Sequence, residues 1–120
     1  MTASSVEPGT SDLVTVEVSG DPATPTLTAT GEIDSSSAPV LRTRLERVLD
    51  EHPTALTVDL NGITFLDSAG LCVLASAHRR AAREGVRLRV LASSRAVIRP
   101  MQITGLYDLL EVAPQTSGAA

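Results

Sequence analysis

The stretch "ITFLDSAGLCVLASAHRRA", residues 63 to 81, changes its hydrophobic period in the middle, and that change decides the architecture. Ile63 to Leu66 is a short apolar run that stops at Asp67-Ser68, where a strand hands over to a helix. From Gly70 to Glu84 the spacing is helical, and Gly85 supplies a C-cap. The first half of this predicted helix, "LCVLASA", is apolar nearly all round and is expected to be well buried. The second half, "HRRAARE", is expected to be solvated. "VRLRVLA" (86–92) then alternates, with Arg87 and Arg89 turned outward. A strand, a helix and a strand within this length predict a right-handed crossover between parallel strands.

Upstream, "ALTVDL" reads as a strand with Leu56, Val58 and Leu60 facing one way. Asn61-Gly62 resembles a tight hairpin turn. Because "ITFL" is short and must feed the helix, a loop is expected there instead. "LVTVEV" places Val14, Val16 and Val18 opposite Thr15 and Glu17. "TLTATGEI" places Leu27, Ala29 and Ile33 opposite Thr28, Thr30 and Glu32. With "SGDPATP" as turn chemistry between them, these two form an antiparallel hairpin. "DSSSAPVLRTRLERVLDEH" gathers Val40, Leu41, Leu45, Val48 and Leu49 on one helical face. Ser37 reads as its N-cap and Pro39 as a first-turn proline. In "SRAVIRPMQITGLYDLL", Pro100 falls inside a helix begun at Ser94, where an interior proline costs about 3 kcal/mol. A broken helix ending near Gly105 is expected, with Leu106, Leu109 and Leu110 packing after it. The order β-β-α-β-α-β-α is an α/β single domain: a small mixed β-sheet with helices mainly on one face. It occupies residues 12–114, between flexible tails at 1–11 and 115–120.

The 120 residues suffice for one domain with a modest core. Phe65 and Tyr107 are the only aromatics, so there is no platform for stacking bases, and the net charge of −4 supplies no footprint for nucleic acid. Cys72 is the single cysteine, which fits a reducing compartment, and it reads as a small core residue. "MTASSVEPGTSD" lacks the apolar core of a signal peptide, and no run reaches the roughly 18 apolar residues of a membrane span. The expectation is a cytoplasmic protein with no nucleic-acid and no membrane partner.

Asp67 and Ser68 admit several readings. Both are good N-caps, and a cap explains their position without any chemistry. A nucleophile elbow needs Gly-x-Ser-x-Gly, but the first of those positions is Leu66. His78 lies further along the same helix, about 15 Å from Ser68 at 1.5 Å per residue, and His52 is on another helix. A general base must come within about 3 Å, so hydrolysis is disfavoured. Cys72, His52 and His78 show no metal-ligand spacing, and without Lys there is no phosphate loop. The remaining reading is a switch. A phosphate on a hydroxyl at a helix N-terminus adds about −1.5 to −2 charges that the terminal N–H groups partly stabilise. The fold would survive while a partner docked there would be repelled.

"TATGEID", "LTVDLNGITFLDSAGLCVL", "VRLRVLA" and "ITGLYDLL" together resemble a STAS domain, specifically the single-domain bacterial anti-sigma-factor antagonists, or anti-anti-sigma factors. The resemblance covers about residues 12 to 112, and the Asp-Ser-x-Gly-Leu segment is its most specific part. It implies an antagonist that binds an anti-sigma factor which is also a serine kinase, freeing a sigma factor. The kinase phosphorylates the Ser of Asp-Ser-x-Gly, and a serine phosphatase resets it. Carried over by position, Ser68 is the phosphoacceptor. Asp34, Ser35, Ser36, Asp67, Ser68, Ala69 and Gly70 form the partner-binding surface, with Gly70 letting the backbone turn closely. Arg42 and Arg44 extend that surface or form a solvated helix face. The resemblance implies no cofactor for this chain, because ATP and Mg²⁺ belong to the kinase. A monomer or weak dimer is expected. A different function remains open, a STAS subunit of a lipid-transport ABC system that is not phosphorylated; the hydroxyl of Ser68 favours the switch.

Overall fold

The computed structural model describes residues 13–113, so both expected tails lie outside the described residues. Its elements are β1 (Val14–Ser19), β2 (Thr26–Ile33), α1 (Ala38–Asp50), β3 (Ala55–Leu66), α2 (Ser68–Glu84), β4 (Arg87–Leu91), α3 (Arg95–Thr104), α4 (Leu106–Leu109) and β5 (Glu111–Ala113). The five strands lie side by side in chain order. β1 and β2 are the antiparallel hairpin read from the sequence, and the β2–β3, β3–β4 and β4–β5 pairs are parallel.

Alternation along the strands sorts the two faces of this mixed sheet. Val16 lies opposite Ala29, Leu27 beside Val58, and Val58 beside Val90, and all five are buried. The intervening Glu17, Thr28, Thr57, Arg89 and Glu111 form the polar face. Helices supply the opposing apolar surface: Leu41, Leu45 and Leu49 of α1, Leu74 and Ala81 of α2, and Val97 and Met101 of α3 join one core cluster. Burying one such aliphatic side chain contributes about 1.5 to 3 kcal/mol. On the surface, Arg80 of α2 bridges Asp50 of α1 at 2.7 Å and Glu84 at 3.0 Å, clamping the two helices together.

Several expectations are corrected. Asn61-Gly62 is neither a loop nor a hairpin turn, because β3 runs through it without a break. Between Thr28 and Thr30 of β2, the partners on β3 advance from Asp59 to Gly62. Between Gly31 and Glu32 they advance from Ile63 to Phe65. Each step inserts one extra β3 residue, a bulge. Gly62 permits the first, since a Cβ there would lie 2.5 Å from the Thr30 methyl. The buried positions of β3 consequently change spacing, from Leu56, Val58 and Leu60 to Ile63 and Leu66.

The second helix begins at Ser68, two residues before the predicted start, and ends at Gly85 with φ 73°. Its first half is not buried all round. Leu71, Val73, Leu74 and Ala77 face the core, whereas Ser68, Cys72 and Ser76 form an exposed stripe at helical spacing. Cys72 is therefore a surface residue and not a core one. Nor is α3 broken. Pro100 lies inside it, but Val97 before the proline and Met101 after it are both fully buried. That anchoring on both sides outweighs the one backbone hydrogen bond the proline cannot make. After Gly105 the chain forms α4 and a short fifth strand that was not anticipated. Leu106 and Leu110 are buried there, while Leu109 is 54% exposed.

Candidate functional site

The site is built where the parallel strands β2 and β3 end together. Ile33 is the register partner of Leu66, and the Asp67 amide donates to the Ile33 carbonyl at 3.1 Å. The β2–α1 loop and the start of α2 are thereby held side by side.

Asp34 organises the first of these. Its Oδ1 accepts from the Ser36 amide at 2.9 Å, the Ser36 hydroxyl at 2.8 Å and the Ser37 amide at 3.1 Å. The Ser36 hydroxyl is the main cause holding the Asp34 carboxyl below its ordinary range; the Ser37 and Ser36 amides add to it, and burial opposes. Ser37 stands at the N-cap position of α1 as read, with Pro39 in the first turn, but its side chain does not cap. It is fully buried, its hydroxyl donates to the Glu32 carbonyl at 2.8 Å, and it accepts from the Asp34 amide at 2.9 Å. Ser37 is a lock for the loop. That leaves Ser35 and Ser36 exposed at its tip.

Asp67 is the N-cap of α2, with Oδ1 accepting from the Ala69 amide at 2.9 Å. Its carbonyl accepts from the Leu71 amide at 3.1 Å. Ser68, the first residue of the helix, is exposed, and among the described residues its hydroxyl has no hydrogen-bond partner. The capping and switch readings are thus divided between neighbours: the acid caps and the hydroxyl is left free. Gly70 is buried in the first turn without a positive φ. What it supplies is room, since a Cβ there would overlap a Leu66 methyl and lie 2.7 Å from Cγ2 of Ile33.

Asp34, Ser35, Ser36, Asp67, Ser68, Ala69 and Gly70 therefore come from two segments tied at Ile33–Asp67. Two grooves flank them. One, between α1 and α2, is lined by Ser35, Pro39, Arg42, Ala69, Cys72 and Ser76. Arg42 belongs to it; Arg44 does not, and is half-buried. The other, between the end of β3 and α3, is lined by Phe65, Leu71, Arg95, Arg99, Pro100 and Ile103. Sequence reasoning missed this second groove because it assigned Phe65 to neither face of the sheet. Phe65 faces outward because the second bulge inserts a residue after the buried Ile63, and "ITFL" carries no glycine or proline to mark that step.

Neither His52 nor His78 lines a groove beside Ser68. Among the described residues no group of three His, Cys, Asp or Glu side chains is arranged to hold a metal ion. No helix among them is long and apolar enough to cross a membrane.

Comparison with known proteins gives this arrangement its family. A family model described as "Mlab, STAS domain" matches residues 16–111. An anti-sigma-B factor antagonist of Bacillus subtilis (strain 168) is 35% identical over 88 residues, covering 73% of this chain and 80% of that protein. An anti-sigma-F factor antagonist, RsfB, of Mycobacterium tuberculosis is 34% identical over 95 residues, covering 79% of this chain and 77% of that protein. The crystal structure of an anti-sigma factor antagonist from Mycobacterium paratuberculosis superposes with a TM-score of 0.82 at 30% identity, covering 90% of this chain and 92% of that one. With its sheet order, its Asp-Ser-Ala-Gly helix start and these likenesses in agreement, the chain belongs to the STAS-domain anti-sigma-factor antagonist family.

Proposed function

We propose that the protein is an anti-sigma-factor antagonist: it binds an anti-sigma factor that is also a serine kinase, frees a sigma factor, and is switched off by phosphorylation at Ser68. The observation that carries this reading is the exposed, unbonded Ser68 hydroxyl, placed by the Asp67 cap beside the Asp34–Ser36 loop. A kinase bound across both segments reaches that hydroxyl without unfolding anything. The γ-phosphoryl group of ATP is transferred to the Ser68 oxygen, the hydroxyl proton is lost and ADP leaves. ATP and Mg²⁺ are the partner's, and this chain contributes the acceptor.

The added charge of about −1.5 to −2 then lies next to Asp67 and within the partner's footprint. On the protein itself the charge is tolerated, because the N-terminus of α2 carries the positive end of the helix dipole. The partner interface instead meets a bulky dianion, and release follows. A serine phosphatase returns Ser68 to the hydroxyl by hydrolysis, yielding inorganic phosphate. The names of the Bacillus and Mycobacterium relatives support the antagonist assignment.

The test is a pull-down from host lysate with wild type, Ser68→Ala and Ser68→Asp as baits, read by mass spectrometry. A small ATP-binding anti-sigma kinase is expected with the first two baits and not the third. All three baits are expected to share one thermal midpoint within a few degrees, because Ser68 is exposed. Equal recovery by all three would sink the switch, and transporter components recovered by all three would replace it with the lipid-transport function.

A further inference from the structure

The groove between β3 and α3 departs from the rest of the surface. Phe65 is 48% exposed and Ile103 is 76% exposed, and together with Leu71 and Pro100 they make one continuous apolar floor. Val18 and Leu109, the other exposed large apolar residues among the described residues, do not line it. Contiguous apolar surface marks interaction sites, whereas single exposed residues do not. Aromatic and Arg side chains are enriched in such interfaces, and here the chain's one Phe lies in the same groove as two Arg.

The charge of the groove selects the occupant. Arg95 and Arg99 line it, and the ion pairs among the described residues belong to Arg80, Arg87 and Arg89. In a chain of net charge −4, this is a local cationic patch without carboxylate partners. A second copy of the chain docked about a two-fold axis through the groove would set these guanidinium groups against their own equivalents. A segment with an apolar ridge bordered by Asp or Glu fits instead.

The groove is also continuous with the Ser68 site. Phe65 and Leu66 run directly into Asp67-Ser68, and Leu71 lies in the first turn of α2. A partner covering Ser68 reaches the groove without crossing another element.

We propose that this groove is a second contact region for the same anti-sigma factor, taking an acidic, apolar-ridged segment of it. The proposal rests on the reading of Ser68 above and adds a division of labour. The Ser68 end carries the phosphorylation-sensitive contact. The groove carries apolar affinity through Phe65 and Ile103, while Arg95 and Arg99 supply orientation and association rate.

The experiment titrates the anti-sigma factor recovered with Ser68→Ala against Phe65→Ser, Ile103→Ser and the double variant Arg95→Glu/Arg99→Glu by isothermal calorimetry. Each apolar variant is expected to raise Kd by about tenfold or more. The charge-reversed variant is expected to weaken binding most at low salt, with the difference shrinking as salt is added. Ile103 is exposed enough that its substitution leaves the fold intact, which a thermal melt of each variant verifies. Unchanged Kd in all three variants, with binding still dependent on Ser68, overturns the groove and leaves the switch standing. Failure of every bait to recover an anti-sigma factor overturns the switch, and the groove proposal with it.

Discussion

The amide of Asp67 donates to the carbonyl of Ile33 at 3.1 Å, joining the end of β3 to the end of β2. Asp34 follows Ile33 and Ser68 follows Asp67, so this bond sets the spacing between the loop that Asp34 organises and the hydroxyl proposed as phosphoacceptor. Asp67 serves the arrangement twice, with its amide toward Ile33 and its carboxylate toward Ala69.

Replacing Asp67 by Ala keeps the amide but removes the cap. The loss of an N-cap side chain costs about 1 kcal/mol. Urea unfolding should show a lowered midpoint at an unchanged slope, and Asp67→Asn, which retains a capping oxygen, should recover most of the difference. Equal midpoints for Asp67→Ala and wild type would mean that the hydrogen bond to the Ala69 amide contributes nothing.

Gly70→Ala sets two effects against each other. Alanine is favoured over glycine in a helix interior by about 1 kcal/mol. Against that, the new methyl would lie 2.7 Å from Cγ2 of Ile33, a fully buried β-branched side chain that cannot turn aside. Overpacking of this kind costs about 1 to 3 kcal/mol, so net destabilisation is expected. Calorimetric melting of Gly70→Ala checks the sign; a raised midpoint would show that α2 can lift from the strand ends freely.

The Asp34 carboxyl is held below its ordinary value of 3.8 chiefly by the Ser36 hydroxyl. A carboxyl with a depressed folded-state pKa adds stability that is present above the unfolded pKa and lost as pH falls through the folded one. Wild type should therefore exceed Asp34→Asn in stability at pH 7, and the gap should close progressively as pH drops below 3.8. Urea midpoints of the two proteins across the acid range test this. A gap that stayed constant with pH would assign the difference to lost loop geometry and not to the ionised carboxylate.

Much of the fold was legible because its signals are local. The alternation of "LVTVEV" and "TLTATGEI" acts within a few residues, and so does the 3.6-residue spacing of Leu41, Leu45, Val48 and Leu49. Asp67-Ser68 announced a helix start by itself, although the structure begins that helix at Ser68 and not at Gly70. The α3 proline misled because its cost is local too, whereas the compensation comes from the burial of Val97 and Met101 against the rest of the chain.

By itself the sequence determined the element types, the apolar face of each, and an acid beside a hydroxyl where a strand meets a helix. Only the tertiary structure decided what those residues face. Strand register depends on a neighbour distant in the chain, and the extra β3 residue between Ile63 and Phe65 leaves Ile63 and Leu66 buried with Phe65 exposed between them. The same parallel pairing holds the segment that begins at Asp34 alongside the one that begins at Asp67, because segments far apart in sequence become neighbours only where the sheet's hydrogen bonds place them.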